Sequence, residues 1–516
     1  MSSTQPNILL IILDTQRRDR LSLYGAAREN SPALDAFAQQ STVFERAVAP
    51  AQWTVPSHAS IFTGRYAGAH GVTEASHVLS GLHPTLAEIL QVGGYRTVGF
   101  CNNPLVGLLE NGFTRGFDAF YNYAGTAPER PHHAHHPALR RAMTARWRQF
   151  AASVQHSFAH SDALFNLTLN PLLVPLWTRF IRYKGNTAYS LQDALNVFVS
   201  HTSGGNAQPL FSFINLMGTH LPYHPSKAAL QQTAPYLLKN NAEARFLKRF
   251  NSQATRWASP PDTPLQDWEV QTLLDAYDAE IREQDALLGQ FLADLEQRGL
   301  LDNTMVIIAA DHGESHGDHG FIGHSFVVYQ ELVHVPLIVR YPERFPNGKR
   351  VMTNVSTRRI FHTVLDAAGL IPPLDEADPN AAVGELTLAN SVNGRPDPEG
   401  GMAFSEAFPP QTFLSVMRHR APHMIDALRL TETRRGLYDG AHKLTTIGGA
   451  VDGLFDLTHD PQEVNSVAAE QPQRTAQLYG ALERFRAQVG SGGLTSGSQD
   501  IDPGVLNHLR ALGYVE

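Results

Sequence analysis

The sequence predicts an α/β fold, with a doubly wound, mostly parallel sheet flanked by helices and a smaller C-terminal α+β subdomain. Short, continuously apolar runs recur along the chain, as expected of strands buried on both faces. Segments with the helical apolar period separate these runs, which is the alternation typical of parallel strands joined by helices. With 516 residues, 42% of them hydrophobic, the chain is long enough for one large domain and a smaller one.

Four apolar runs are the predicted sheet strands, and catalytic residue types directly follow three of them. The runs are N-I-L-L-I-I-L-D from Asn7, P-L-F-S-F-I-N-L-M-G-T-H from Pro209, M-V-I-I-A-A-D-H-G-E from Met305 and V-P-L-I-V-R-Y-P from Val335. In such sheets ligands bind at the carboxyl ends of the strands. We therefore expect the polar residues at these ends to form a site.

Helical patterns fill the intervals between the strands. S-P-A-L-D-A-F-A-Q-Q-S begins at Ser31, and a longer pattern from Val270 ends in Arg298-Gly299, a typical helix C-terminus. The segment W-T-V-P-S-H, positions 53 to 58, predicts a further helix. Thr54 is its expected N-cap, and the proline two residues later falls in the first turn, where a missing N–H costs nothing. A helix N-terminus also binds anions, so Thr54 has a second possible role as a nucleophile.

The segment from about 126 to 185 is predicted to be an insertion in the sheet domain. It is basic and contains H-H-A-H-H at 132–136, for which a solvated loop is favoured over a metal site because no carboxylate or cysteine is spaced nearby. The apolar stretch Ala163–Ile181 contains two prolines and an arginine. A buried or surface-associating helix pair is therefore favoured over a membrane span, and a packed helical hairpin over a lid for a lipid-like or glycan substrate.

Proline, glycine, aspartate and asparagine cluster from about Pro372 to Gly401, which indicates a linker. We accordingly predict a catalytic domain over 1–385 and a C-terminal subdomain over 386–516.

Charge and terminal sequence limit the partners and the location. A net charge of -8, from 41 basic and 49 acidic side chains, argues against a nucleic-acid partner. The single cysteine, Cys101, excludes an intrachain disulfide framework and fits a reducing compartment. The N-terminal M-S-S-T-Q-P-N-I-L-L-I-I-L-D has no basic region or cleavage site, and its apolar run is too short to span a bilayer. We therefore predict a cytoplasmic protein with no stable transmembrane span.

Three residues at strand ends are candidate ligands for a divalent metal. Asp14, Asp311 and His312 supply carboxylates and an imidazole, the donors that hard and borderline cations prefer. Each also has an ordinary structural interpretation, since an aspartate after a strand often caps a helix and D-H-G is a common turn. Their joint appearance with W-T-V-P-S-H favours a metal site.

Several spaced motifs carry a family resemblance. In order along the chain they are P-N-I-L-L-I-I-L-D-T-Q-R-R-D-R-L-S-L-Y-G, T-V-P-S-H-A-S-I-F-T-G-R-Y-A-G-A-H-G-V, L-M-G-T-H-L-P-Y-H-P and A-A-D-H-G-E-S-H-G-D-H-G-F-I-G-H-S. V-V-Y-Q-E-L-V-H-V-P-L-I-V, G-L-F-D-L-T-H-D-P-Q-E-V-N-S and L-R-A-L-G-Y-V follow them. Together they closely resemble the sulfatase branch of the alkaline phosphatase superfamily. The resemblance implies an alkaline phosphatase-like fold and covers most of the chain except the insertion.

The resemblance also implies roles for individual residues. Asp14, Asp311 and His312 correspond to ligands of one divalent metal ion, and Thr54 corresponds to the nucleophile, whose oxygen is a further ligand. His220 and His324 stand where family members place groups that touch the transferring group or the leaving oxygen. The predicted contacts to substrate are His58, Asn103 and His224.

Departures from the sulfatase pattern concern the nucleophile. Sulfatases carry a cysteine or serine there, oxidised to formylglycine and followed by Pro-Ser-Arg; this chain has Thr54, and His58 replaces the arginine. Threonine cannot form that aldehyde. The second aspartate of the first motif is Thr15, and the G-K-W-H segment of many arylsulfatases is absent.

A threonine at this position is similar to the phosphodiesterases, phosphatases and lipoteichoic acid synthases of the superfamily. In those enzymes the hydroxyl attacks phosphorus, and water or an alcohol later removes the phosphoryl group. Two-metal members need an aspartate near the middle histidine, where this chain has Leu216, so we predict a single ion of calcium, manganese, magnesium or zinc. Asp318-His319 is expected to form a turn rather than to join the metal shell.

The leading hypothesis is a metal-dependent hydrolase of phosphate esters, with diesters favoured. Its substrate is expected to be a small-molecule or a lipid- or glycan-linked anionic ester. Three alternatives remain open: a sulfuric ester hydrolase that works without formylglycine, a phosphotransferase, and an anion-binding pseudoenzyme.

Overall fold

A computed structural model describes residues 5–124, 130–131, 184–203, 208–253, 260–370, 385–490 and 497–498. Their largest element is an eight-stranded sheet in the order β8-β2-β7-β6-β1-β5-β3-β4. All its pairings are parallel except the two made by β7. The strands are β1 (Asn7–Leu13), β2 (Thr42–Phe44), β3 (Arg96–Cys101), β4 (Ala119–Asn122), β5 (Leu210–Leu216), β6 (Thr304–Ala309), β7 (Leu337–Arg340) and β8 (Arg350–Val351).

Helices cover both faces of the sheet and continue into the C-terminal part. In the described residues they are α1 (Pro32–Ala38), α2 (Thr54–Thr63), α3 (Ala67–His70), α4 (Leu86–Val92), α5 (Thr187–Ser203), α6 (Lys227–Thr233), α7 (Ala242–Asn251), α8 (Asp267–Gln297), α9 (Gln330–Val333), α10 (Arg359–Ala368), α11 (Leu388–Val392), α12 (Gln411–Arg420), α13 (Pro422–Ala427) and α14 (Pro472–Gly490). Two-residue strands lie at Ala47–Val48, His77–Val78, Ser315–His316, Ile322–Gly323, His334–Val335, Val355–Ser356 and Gly497–Ser498.

The central strand β1 explains why the apolar runs are continuous. Its side chains alternate between two hydrophobic cores, with Ile8, Leu10 and Ile12 in one and Leu9, Ile11 and Leu13 in the other. Each buried aliphatic side chain contributes about 1.5–3 kcal/mol, so burial on both faces selects apolar residues at every position. The predicted doubly wound sheet is confirmed, and its centre is a rigid support for the residues that follow the strands.

The longest helix, α8, ends as its sequence predicts. It stops at Gln297, and Gly299 adopts a left-handed φ of +67°, a conformation that glycine tolerates without strain. Asp285 in its middle accepts hydrogen bonds from the backbone N–H groups of Ala33 and Leu34, both at 2.9 Å. The carboxylate thereby satisfies two donors at the start of α1 and fixes the two helices together.

A second, antiparallel sheet forms the smaller C-terminal subdomain. It consists of β9 (Met402–Ala407), β10 (Arg434–Asp439), β11 (His442–Ile447) and β12 (Ala450–Asp456), joined in chain order. Helix α14 packs on it through a core that includes the stacked rings of Phe404 and Phe485, whose centroids lie 4.1 Å apart. The α+β character of this part is confirmed, whereas its exact boundary at 385/386 stays a prediction.

The predicted linker at 372–401 is described only from residue 385 onward. This described part of the segment contains α11 and the acidic residues Asp397 and Glu399. Both form ion pairs at 2.6 Å with Arg359, at the start of α10 in the catalytic domain. The described part of this segment is therefore packed against the sheet domain through buried ion pairs.

Several predicted features fall outside the described residues. These are the insertion at 126–183 apart from residues 130–131, with its H-H-A-H-H run and the apolar stretch Ala163–Ile181, and the terminal L-R-A-L-G-Y-V motif. Across the part of the chain that is described, no helix has the length and apolar character to cross a membrane.

Candidate active site

The predicted site residues meet at the carboxyl ends of the central strands. Asp14 follows β1, which lies between β5 and β6, and His220 and Asp311 follow those two neighbours. Asn103 follows β3 on the far side of β5, and Thr54 begins α2. Strand order alone therefore brings together residues that are far apart in the sequence.

Asp14, Asp311 and His312 form a compact cluster of metal-ligand types. One potential ligand atom from each lies within 4.8 Å of the others, and all three side chains are fully buried. Within the described structure, Asp14 Oδ1 and Asp311 Oδ2 accept no hydrogen bond. Buried carboxylate oxygens without donors are costly. Two such oxygens facing one imidazole fit a divalent cation, which these residues would hold.

The remaining atoms of the three ligands are held by fixed donors and acceptors. Asp14 Oδ2 accepts hydrogen bonds from the amides of Asn103 (2.6 Å) and Asn215 (3.2 Å). Asp311 Oδ1 accepts from the backbone N–H groups of His312 (2.9 Å) and Thr15 (3.3 Å). One oxygen of each carboxylate is thus engaged by protein, and the other is turned toward the cluster.

The tautomer of His312 follows from its contacts. Its Nδ1 donates to the carbonyl oxygen of Gly313 (2.8 Å), which leaves the lone pair of the neutral ring on Nε2. Nε2 lies 3.2 Å from Thr54 Oγ1. The ring is therefore oriented with Nε2, the nitrogen available to bind a metal, toward the threonine.

Thr54 is the first residue of α2, and its predicted role as the N-cap is wrong. The N-cap is Trp53, and no side chain caps this helix. The Thr54 hydroxyl instead points at the ligand cluster, 3.2 Å from His312 Nε2 and 3.5 Å from Asn103 Nδ2. Pro56 lies in the first turn as expected. The reason for the difference is positional: a side chain one residue inside the helix cannot fold back onto the N–H groups that an N-cap reaches.

His58 lies one turn further along α2 and is fully buried beneath the cluster. Its Nδ1 donates to the Thr54 carbonyl oxygen (3.0 Å) and is 3.4 Å from Asp311 Oδ2. Burial lowers its pKa to about 3, so the ring is neutral. His224, by contrast, is exposed, and its backbone N–H donates to Glu280 Oε1 (2.7 Å). The roles of His58, Asn103 and His224 as contacts to substrate stay predictions.

The two predicted donor histidines lie together beside the cluster. The ring centroids of His220 and His324 are 5.1 Å apart, and those of His324 and His312 are 4.5 Å apart. His220 Nδ1 donates to the Leu221 carbonyl oxygen (2.6 Å). Lys184 holds this loop by donating to the carbonyl oxygen of His220 (2.8 Å). His324 therefore lies beside His312, and His220 lies on the other side of His324.

Asp318 and His319 lie outside the cluster and form the predicted turn. Asp318 accepts from Arg17 Nη1 (2.8 Å), and the His319 ring stacks on Tyr329 with centroids 3.7 Å apart. Thr15, at the position of the family's second aspartate, has a left-handed φ of +59°. This conformation is strained for a β-branched residue, and its backbone N–H contact to Asp311 helps to hold it.

Three residues that sequence reasoning missed support the site. Asn215 holds Asp14 Oδ2, and Thr219 Oγ1 donates to the Asp14 carbonyl oxygen (2.6 Å). Glu314 is fully buried and contacts His324. All three stand inside the motifs quoted above, so proximity to a strand end was the available signal. Residue type alone did not separate them from ordinary turn residues.

The electrostatics of the cluster favour a bound cation at neutral pH. Burial, and then the charge of Asp311, raise the pKa of Asp14 to about 7. Burial raises that of Asp311 to about 8, against the hydrogen bonds that lower it. Burial and the neighbouring His324 lower the pKa of His312 to about 4. Without metal, two carboxylates with so little solvation resist ionising together.

We expect the metal-free protein to lose stability as the pH rises from about 4 to about 8. The two carboxyl groups have pKa values near 4 when unfolded and about 7 and 8 when folded. The folded state therefore binds more protons in this window, and the free energy of unfolding falls as pH rises. Melting temperatures in chelator and in excess divalent cation measure the effect. The stabilisation by cation should grow from pH 5 to pH 8, and Asp311→Asn should remove that growth; a pH-independent increment would contradict the site.

Comparisons with known proteins agree on the family. A family model described as Sulfatase matches residues 6–370. The N-acetylglucosamine-6-O-sulfatase of Bacteroides thetaiotaomicron is 22% identical over 517 residues, covering 94% of this chain and 87% of the relative. The steryl-sulfatase of Rattus norvegicus is 26% identical over 420 residues, covering 72% and 68%.

Solved structures agree on the fold. The phosphonate monoester hydrolase of Agrobacterium radiobacter superposes with a TM-score of 0.65 at 23% identity, covering 94% of this chain and 96% of that one. A protein in complex with its substrate D-glucosamine-2-N,6-O-disulfate gives a TM-score of 0.64 at 18% identity, covering 95% and 99%. The resemblance drawn from the motifs is thus confirmed. The chain belongs to the sulfatase family, whose members are metal-dependent ester hydrolases.

Proposed function

We propose that this chain hydrolyses phosphate esters, diesters above all, with Thr54 as the covalent nucleophile and one divalent metal ion. The observation that supports the proposal best is the position of the Thr54 hydroxyl. It lies at the N-terminus of α2, 3.2 Å from the ligating nitrogen of His312, and no formylglycine can arise from it. A threonine oxygen is a competent nucleophile toward phosphorus.

Each side chain has a defined task in this reaction. Asp14, Asp311, His312 and Thr54 Oγ1 would hold the metal. When bound, the ion lowers the pKa of the hydroxyl and offsets negative charge on the ester oxygens. Backbone N–H groups at the start of α2 face the same region and favour an anionic group there.

The reaction proceeds in two displacements. Burial lowers the pKa of both His220 and His324, so each ring starts neutral. Thr54 Oγ1 attacks phosphorus and its proton moves to one of these rings; the bond to the leaving oxygen breaks, and the same histidine gives the proton to that oxygen. Water then attacks the phosphorylated Thr54, which keeps the second ester group when the substrate is a diester, and gives a proton to the neutral histidine. The bond between phosphorus and Oγ1 breaks, and the histidine passes that proton to Oγ1. An alcohol in place of water would make the enzyme a phosphotransferase.

Sulfate-ester hydrolysis is the second candidate function, because the curated relatives named above are sulfatases. Turnover is measured on aryl phosphate monoesters, aryl phosphate diesters and aryl sulfates, each with and without chelator, to distinguish the four possibilities. We expect the diester to be hydrolysed fastest and chelator to stop the reaction. Faster turnover of sulfate would favour the second candidate, and transfer to added alcohol would identify a phosphotransferase. Binding of anions without turnover would identify a pseudoenzyme.

The same relatives suggest the class of substrate. An N-acetylglucosamine-6-O-sulfatase and a steryl-sulfatase act on esters carried by a sugar or a sterol. We propose a small-molecule, glycan-linked or lipid-linked anionic ester for this chain as well. Nucleic acid is not proposed as a partner, and the cytoplasmic location stays a prediction from the N-terminal sequence.

Alanine substitutions at His220 and His324 should each lower turnover by roughly two to four orders of magnitude. Metal content should stay near that of the wild type, because neither ring belongs to the ligand cluster. Turnover and elemental analysis on the same preparations check both statements. Loss of metal from either variant would place that histidine in the ligand shell and revive a two-metal site.

A further inference from the structure

Tyr277 lies on α8, and its hydroxyl group forms two hydrogen bonds to the backbone of the loop that follows β1. It donates to the carbonyl oxygen of Thr15 (2.7 Å) and accepts from the backbone N–H of Arg17 (2.7 Å). The side chain is fully buried. The helix therefore contacts the chain one residue after the candidate metal ligand Asp14.

The loop has an unfavourable backbone conformation at Thr15. Its φ of +59° lies in the left-handed region, where the branched Cβ makes threonine an outlier. Such a conformation persists when the surrounding contacts fix it, and strained residues of this kind cluster at functional sites. The residue next to Asp14 is thus held in a state that its own side chain disfavours.

Two peptide units meet at Thr15, and each has its own partners. The first contains the Asp14 carbonyl oxygen, which accepts from Thr219 Oγ1 (2.6 Å), and the Thr15 N–H, which donates to Asp311 Oδ1 (3.3 Å). The second contains the Thr15 carbonyl oxygen, which accepts from Tyr277. The torsion angles of Thr15 set the angle between the two units. A contact that fixes the second unit therefore also fixes the first.

The Tyr277 ring is itself held firmly. Its centroid lies 4.7 Å from that of His316 and 5.7 Å from that of Tyr223. Helix α8 extends over 31 residues, and Asp285 ties it to the start of α1. The hydroxyl is consequently a fixed point against which the loop after β1 is placed.

We propose that Tyr277 is a positioning residue for the metal site. Its hydroxyl holds Thr15 in the left-handed conformation, which aims the Thr15 N–H at Asp311 and keeps the carboxylates of Asp14 and Asp311 in place for one ion. The inference rests on the metal site of the proposed function and is independent of which ester is cleaved. Tyr277 acts through the backbone, as outer residues that orient metal ligands do.

Metal affinity tests this role in the full-length protein. Chelator-treated protein is titrated with Mn²⁺, and in parallel with Zn²⁺, Ca²⁺ and Mg²⁺, by isothermal titration calorimetry. Tyr277→Phe keeps the ring and removes the hydroxyl. We expect it to weaken binding of the preferred cation by about 10- to 100-fold, the usual effect of losing an outer contact to a metal ligand.

Tyr95→Phe is the matched control. Tyr95 is also buried, and its hydroxyl donates to the carbonyl oxygen of Pro6 (3.0 Å), just before β1 and at the opposite end of that strand from Asp14. The variant loses a comparable buried hydrogen bond, so it should melt at a lower temperature. Its metal affinity should stay within about threefold of the wild type, because the loop after β1 is untouched.

A pair of backgrounds separates positioning from general support of the fold. In Thr15→Gly, the Tyr277→Phe change should weaken metal binding by less than about threefold, because glycine adopts this φ without strain and the loop no longer needs to be held. In Thr15→Ala the loss should remain about 10- to 100-fold, since alanine still disfavours positive φ. Both backgrounds lack the Thr15 hydroxyl, which donates to the Asp14 carbonyl oxygen (2.7 Å), so their difference reports backbone conformation.

Two results would overturn the inference and leave the metal site intact: wild-type affinity in Tyr277→Phe, or an equal loss in the glycine and alanine backgrounds. If Tyr277→Phe does not fold, its combination with Thr15→Gly decides. That double variant should fold and bind metal as Thr15→Gly does, and a failure to fold would show that Tyr277 supports the fold in general. Failure of the proposed function looks different, because the wild type itself would then bind none of the four cations.

Discussion

Thr54→Ala is expected to abolish turnover, with a loss of at least about four orders of magnitude relative to the wild type. In the proposed reaction the hydroxyl attacks the ester, and it is fully buried between His312 and Asn103. Because it does not cap α2, its removal should cost stability only through the lost hydrogen bonds, about 1 kcal/mol. Rapid acid quench of the wild type should trap a phosphoryl group on the peptide that contains Thr54, and mass spectrometry detects it.

Two further variants and one co-expression experiment make this test more specific. Thr54→Ser should keep part of the activity, since it retains a hydroxyl at the same position. Thr63→Ala makes the same change at the end of α2, where the hydroxyl donates to the Ala59 carbonyl oxygen, and should stay active. Co-expression with a formylglycine-generating enzyme should not change the native chain. Native turnover by Thr54→Ala would contradict the assignment and transfer the attack to Ser57 or to an activated water.

Removal of the metal is expected to have an effect of similar size. Asp311→Ala should lose the bound ion and nearly all activity, because one ligand is gone and Asp14 would remain as a buried carboxylate without its counter-ion. Elemental analysis of the purified wild type identifies the metal among calcium, manganese, magnesium and zinc. Dialysis against chelator followed by titration with each cation measures the restored turnover.

Asp318→Asn is the matched control for the metal experiment. Asp318 lies on the loop that follows Asp311 but contacts Arg17 instead of the cluster. Its variant should retain metal and turnover even if it melts at a lower temperature. Full activity of Asp311→Ala in metal-depleted buffer would exclude a metal-dependent mechanism.

Sequence patterns were sufficient to locate the core of the site. Asp14, Asp311 and His312 were predicted as ligands because parallel strands place their carboxyl ends at one edge, whatever the details of packing. The spaced motifs added the family and the positions of Thr54, His220 and His324. These predictions depend on residue type, which is local in the sequence, and on the strand arrangement, which is general to the fold class.

Atomic roles, by contrast, depended on contacts between distant segments. Asn103 and Asn215 reach Asp14 across 89 and 201 positions of the chain, and these contacts decide which carboxylate oxygen is left for a metal. The sequence pattern wrongly predicted Thr54 as the N-cap of α2. Whether a residue caps a helix depends on where the helix begins, and sequence patterns place that boundary only to within one or two residues.

Glu314 shows the same limit most clearly. The sequence patterns predicted no role for Glu314, and its contact with His324 ten residues away depends on how the intervening loop folds. The sequence by itself determined the family and the placement of Asp14, Asp311 and His312 at strand ends, because hydrophobic periodicity and spaced motifs encode them directly; the roles of these residues and of Thr54 stay predictions. Only the tertiary structure decided which atoms face one another, because hydrogen-bond geometry arises from packing that no single segment specifies.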